Sequence, residues 1–179
     1  MSKLETNIIA PSTGTTITIG ESGDTVALGS GATQTGFGGT NTPSFGAYMS
    51  AGQTVANSTA TKVNFDTEFF DTDSAYNTSD KRFTVPSGKA GKYLIIGKVR
   101  MATANDFEPF VTDIYKNGSL YSRGYGRNFY FNTIEVVCLV DLVATDYIEI
   151  FVVQGSGGNE DIASGIDSGS QFFGYKLIE

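Results

Sequence analysis

Histidine and tryptophan are absent from this 179-residue chain, cysteine occurs once, proline four times, and charged residues make up only 17%. Without histidine there is no Ser-His-Asp or Cys-His nucleophile, no imidazole base, and no zinc site of the common histidine-bearing kinds. The single Cys138 can form no disulfide within the chain, so stability must come from packing or assembly. It lies in the apolar run Val136-Val137-Cys138-Leu139-Val140, the setting of a small buried hydrophobe rather than a reactive thiol. Basic residues are also scarce. Twelve Lys and Arg against 19 Asp and Glu give a formal charge of −7, which repels polyanions and excludes nucleic acid as a partner. Long apolar runs are missing too. Ile8-Ile9-Ala10 stops at Pro11, short of the roughly 7–15 residues of a signal-peptide core. No run approaches the ~20 residues of a membrane span, so no membrane insertion is expected. The expectation is a chain that stays in the cytoplasm where it is made, or leaves by a route other than a cleaved signal.

Glycine is what the chain has in excess, with 22 residues, and the length suits one compact domain plus a small appendage. The composition divides it at about residue 42. Pro11 to Thr42 is almost all Gly, Ser, Thr, Ala and Asn, with Ile17-Thr18-Ile19-Gly20 repeated nine residues later as Val26-Ala27-Leu28-Gly29. These read as two short strands whose apolar side chains cannot bury themselves within one chain. The segment is therefore either disordered or wound with copies of itself into a stalk. Residues 1–42 are assigned to an N-terminal anchor or stalk, and residues 43–179 to the head domain.

Within the head, period-2 alternation dominates and helical periodicity is absent, which makes the class all-β. Tyr93, Ile95, Gly97, Val99 and Met101 alternate with Lys98 and Arg100. Asn117-Gly118 between strand-like flanks predicts a type I′ hairpin. Further strands are expected at 134–143 and 147–154, joined by Ala144-Thr145-Asp146, and at 171–178. Two of them are apolar on both sides. Ile134, Val136, Cys138, Val140 and Leu142 share one face of the first, yet Val137, Leu139 and Val143 lie on the other. In the next, Ile148, Ile150 and Val152 oppose Tyr147, Phe151 and Val153. An antiparallel sandwich standing alone leaves one side of each sheet polar, so a second apolar side points either to another subunit or to covering loops. Val137, Leu139, Tyr147, Phe151 and Val153, with Phe172 of the closing strand, are the candidate subunit interface.

Five segments carry a family resemblance: Pro43-Ser44-Phe45-Gly46-Ala47-Tyr48, Phe83-Thr84-Val85-Pro86, Gly91-Lys92-Tyr93-Leu94, Ile114-Tyr115-Lys116-Asn117-Gly118 and Gln171-Phe172-Phe173-Gly174-Tyr175. Their order resembles the globular head of complement component 1q, which belongs with the tumour necrosis factor-like jelly rolls. The resemblance spans roughly residues 43 to 179, about three quarters of the chain. It implies a two-sheet antiparallel jelly roll that assembles as a tight homotrimer. The Gly/Ser/Thr repeats around Thr16 to Thr25 resemble bacteriophage fibre and appendage proteins, in which such heads often cap a trimeric stalk. A collagen-like Gly-X-Y stem is lacking. Together these imply a trimeric structural protein of a bacteriophage virion, a head decoration fibre or tail fibre assembled in the host cytoplasm and carried on the virion surface. Its N-terminal segment would bind other virion proteins. The alternative is a receptor- or glycan-binding tip that mediates host attachment.

The chemistry available is modest, and no enzyme is expected. Asp66, Glu68, Asp71 and Asp73 lie among Phe65, Phe69, Phe70 and Tyr76, where acids of exposed loops outweigh a glycosidase-like pair. No cofactor is expected apart from possible calcium. The resemblance implies calcium near a trimer axis, and Asp161 and Asp167 in the acidic stretch 159–167 are the candidate ligands, although their spacing is not that of an EF-hand loop. Tyr121, Arg123, Tyr125 and Arg127 alternate along one segment, with Phe129 and Phe131 beyond. Aromatic faces and guanidinium forks suit a host-surface glycan, while core or interface is the ordinary use of such aromatics. The two Arg residues should either meet an acidic loop of their own trimer or remain open to an anionic or hydroxyl-rich surface ligand.

Overall fold

The computed structural model describes residues 9–27, 30–31, 41–103, 109–126, 133–167 and 169–177. The chain divides into two compact units, Met1–Gly38 and Gly39–Glu179. In the first, the described residues hold a turn in which the Asp24 carboxylate accepts from the Glu21 amide, but no strand. Ile17, Ile19 and Val26 stand in solvent. The two expected strands therefore do not form over Ile17–Gly20 and Val26–Ala27, because a lone extended segment has no ladder partner; Leu28 and Gly29 lie outside the described residues.

The second unit is all β. Its strands are β1 (Ser44–Tyr48), β2 (Gln53–Val55), β3 (Thr61–Lys62), β4 (Thr67–Asp71), β5 (Tyr76–Asn77), β6 (Arg82–Thr84) and β7 (Gly91–Arg100), followed by β8 (Phe110–Lys116), β9 (Ser119–Gly126), β10 (Thr133–Leu142), β11 (Tyr147–Gln154), β12 (Glu160–Ile162) and β13 (Gln171–Lys176). One sheet has the order β10-β7-β13-β1-β4. The other runs β5-β6-β11-β8-β9, with β3 added to β11, and β2 pairs separately with β12. All named strand pairs are antiparallel. No helix occurs among the described residues, hence none long and apolar enough to cross a membrane.

The expected alternation is what builds the core. Tyr93, Ile95 and Val99 of β7, Val136, Val140 and Leu142 of β10, and Ile148, Ile150 and Val152 of β11 all point between the sheets and are buried. An aromatic stack centres the core: Phe45 lies face to face with Tyr76 and Phe83 at 5.0 and 4.8 Å and edge-on to Phe172 at 4.8 Å. Burial pushes the hydroxyl of Tyr76 well above its ordinary range and that of Tyr93 to about 12.

Turn chemistry fixes the register at one end of this unit. Asn117 and Gly118 both have positive φ, 52° and 76°, as a type I′ hairpin requires. The carboxylate of Asp146 accepts from the Val143 amide, Asn117 Nδ2 at 2.7 Å and Lys116 Nζ at 3.0 Å, so the β10–β11 turn is tied to the β8–β9 turn. Elsewhere β9 folds against β10 closely enough that a Cβ at Gly124 would lie 2.7 Å from the carbonyl oxygen of Glu135.

Candidate functional site

Two outward faces carry the sequence-predicted interface residues, and the faces differ. On the five-stranded sheet the strand registers align a row across all five strands: Val137, Ile96, Phe173, Gly46 and Phe70. The next row places Leu139, Leu94 and Tyr175 side by side. A bulge between Gly46 and Ala47 makes Phe69 an extra residue in β4, and its ring packs on Tyr48 at 4.7 Å and on Phe173 at 5.7 Å. Phe70 meets Tyr175 at 6.1 Å. Gly46 admits this crowding, since a Cβ there would lie 2.6 Å from the Phe173 ring. The result is a continuous aromatic and aliphatic band on the outside of the sandwich, with Phe70, Val137 and Leu139 exposed by 37, 50 and 60%.

On the other sheet the outer face around β11 is covered by its own chain, while β9 at the edge stays exposed. Phe151 stacks with Tyr115 at 4.2 Å, and the Arg82 guanidinium lies over the Tyr147 ring at 4.7 Å. Lys62 binds Glu149 at 2.5 Å. Tyr147, Phe151 and Val153 thus belong to the opposite side of the sandwich from Val137 and Leu139, and one flat interface cannot include both sets. Phe172 requires a correction. It is fully buried between the sheets, because alternation along β13 sends its neighbours Phe173 and Tyr175 outward instead. Those two, with Phe69, Phe70, Leu94 and Ile96, are the face residues that sequence reading missed.

Of the candidate ligand residues, Tyr121, Arg123 and Tyr125 belong to β9, with Arg123 and Tyr125 on its outward side. Tyr121 and Tyr125 are exposed, and Tyr121 donates to the Leu139 carbonyl at 3.4 Å. Arg123 is not open to an anion: Nε and an Nη each donate to the Asp113 carboxylate at 2.7 Å. Asp113 is fully buried, and its hydrogen bonds raise the Arg123 pKa against the opposing cost of burial. A charged strand residue rather than an acidic loop therefore supplies the pairing. Arg127, Phe129 and Phe131 lie outside the described residues.

The acids of 66–73 shape turns. Burial opposes the charge of Asp66, but hydrogen bonds from the Ser50 amide and hydroxyl outweigh it and lower its pKa. Asp71 accepts from the Asp73 and Tyr76 amides, and Asp73 pairs with Lys89 at 2.9 Å. Of the calcium candidates, Asp161 accepts from the Thr54 hydroxyl and Asp167 is exposed; among the described residues no three His, Cys, Asp or Glu side chains converge on a metal position. Cys138 packs against the core, and burial pushes its thiol up to about 11.

The strand order is that of a two-sheet antiparallel jelly roll, and the fold is like that of the tumour necrosis factor and complement 1q heads. Solved structures agree on the fold. The vertex protein P5 of phage PRD1 aligns at 12% identity over 78% of this chain and 99% of its own, with a TM-score of 0.61. Murine APRIL aligns at 13% over 75% and 98%, TM-score 0.58, and the globular domain of zebrafish complement 1qA at 11% over 75% and 97%, TM-score 0.51. No protein-family model and no curated protein sequence matches the chain.

Proposed function

We propose that this chain is a non-enzymatic homotrimeric structural protein of a bacteriophage virion, displaying jelly-roll heads on its surface. The observation that carries the reading is the band Val137-Ile96-Phe173-Phe70, which lies bare on one face while β11 on the opposite face is dressed by Arg82, Tyr115 and the Lys62–Glu149 pair. The two ends of the band are unlike, aliphatic at β10 and aromatic at β4. A contact between unlike ends of identical copies is heterologous, and a rotation that closes it generates a ring; the likeness to the tumour necrosis factor and complement 1q heads supports a ring of three. The likeness to a phage vertex protein supports the virion setting. Residues 1–42 would attach and extend, their exposed Ile17, Ile19 and Val26 offering apolar surface to other chains.

A second reading, a receptor- or glycan-binding tip, is favoured by Tyr125, which is 77% exposed on β9. Mass spectrometry of purified phage particles, paired with binding of full-length protein to host cells, separates the two. Presence in stoichiometric amount without host-cell binding supports the structural role. Absence from particles would remove it.

A further inference from the structure

We infer that Asn117 is a site of spontaneous deamidation, that its tie to the β10–β11 turn holds the reaction in check, and that the modified residue can no longer form that tie. All the groups involved belong to one chain. Asn117-Gly118 is the chain's one Asn-Gly pair. A glycine in second place leaves its own amide unshielded by a side chain, so the Gly118 nitrogen can attack the Asn117 carboxamide. In that step the bond from the Gly118 nitrogen to Cγ forms, the bond from Cγ to Nδ2 breaks, and ammonia leaves with the proton of the Gly118 amide. Water then opens the resulting succinimide at either carbonyl and leaves aspartate or isoaspartate. The net change is one water gained and one ammonia lost.

The folded chain opposes the first step. The Asn117 side chain reaches across to the start of β11, where Nδ2 donates to Asp146 Oδ1 at 2.7 Å and Oδ1 accepts from the Tyr147 amide at 2.9 Å. The Asn117 amide donates in turn to the Tyr147 carbonyl at 3.0 Å. Closing a succinimide turns the carboxamide back onto Gly118, which breaks both side-chain bonds and twists the backbone out of the type I′ turn. The reaction therefore waits until the two turns part. Once made, the change blocks their return. An aspartate at 117 lacks the Nδ2 donor and sets a second carboxylate against that of Asp146. An isoaspartate runs the backbone through the side-chain carbon and lengthens the turn. Among the contacts that hold the Asp146 carboxyl at about 2, the one from Asn117 is the largest, so its loss removes the principal bond of the tie. Chains that stay closed at this end keep Asn117, and chains that have opened carry a lasting mark.

Incubation of the full-length protein in warm, mildly alkaline buffer tests this, with Asn117 followed by peptide mapping and by enzymatic methylation of isoaspartate. The folded wild type should modify Asn117 at least about tenfold more slowly than the same chain in urea, because the rate follows the population of the open turn. Asp146→Ala removes the acceptor and should speed the modification severalfold while the circular dichroism spectrum stays that of the folded protein. Val99→Ala truncates the core at the far end of β7, beside Ile134 rather than the turns, and should not speed it. Asn117→Asp makes one product directly and should lower Tm at neutral pH. Equal rates in the folded and the urea-unfolded wild type overturn the restraint, as does an Asp146→Ala protein that reacts no faster than wild type or no faster than Val99→Ala. An Asn117→Asp chain as stable as the wild type overturns the loss of the tie.

Discussion

Arg123 and Asp113 face one another across β8 and β9, and the guanidinium holds the carboxylate through two 2.7 Å hydrogen bonds. The acid is fully buried while the Arg123 side chain keeps about a third of its exposure, 34%. Removing the cation leaves an unpaired charge under the face of the sheet. Arg123→Gln should therefore cost about 2 kcal/mol, less than the ~3–5 kcal/mol of a wholly buried pair because water still reaches the arginine side. Arg123→Lys should recover only part of this, since an ammonium cannot supply the planar two-bond fork. Urea unfolding of the three proteins measures both effects. Equal stability of Arg123→Gln and wild type would show that the pair is not structural.

Acid should loosen the end of the sandwich where the β8–β9 hairpin turn meets the β10–β11 turn. Hydrogen bonding from Asn117 and the Val143 amide, with Lys116, holds the Asp146 carboxyl at about 2 against an ordinary 3.8. A folded pKa below the unfolded one gives stability that is complete above the ordinary value and lost as pH falls through the folded one. Asp146→Asn should lower Tm at neutral pH, with the gap to wild type closing between about pH 4 and about pH 2. Asp66 and Asp73, also held low, titrate in both proteins and cancel in the comparison. A gap that is constant over that range would refute the assignment.

Neighbouring phenylalanines on β13 should behave oppositely. Phe172→Ala opens a cavity in the aromatic core and should cost about 3–5 kcal/mol, measured at a dilution where the chains are separate. Phe173→Ala at the same dilution should cost far less, yet weaken association strongly. Similar losses of stability in both would mean that the outer band supports the fold itself rather than a contact.

The strands, the Asn117-Gly118 turn and the inward faces of β7, β10 and β11 were legible because alternation and turn chemistry are local. The Arg123–Asp113 pair was not. A plain two-residue hairpin would set Arg123 opposite Thr112; the bulge that makes Tyr121 an extra residue shifts the register by one and brings Arg123 to Asp113. The same holds for the face. Phe69 and Phe70 join Phe173 and Tyr175 only because β4 pairs with β1 and β1 with β13, contacts between segments far apart in the chain, with a second bulge at Gly46. Phe172 was misplaced for a simpler reason: in an aromatic pair, sequence does not say which ring faces in.

Assembly through the outer band is the central claim, and sedimentation equilibrium of the full-length protein in reducing buffer tests it most directly. A particle of three times the 19.0 kDa chain mass is expected, giving way to single folded chains only at high dilution, with Leu139→Asp moving that change to higher concentration. A wild type that sediments at 19.0 kDa at every concentration would contradict it.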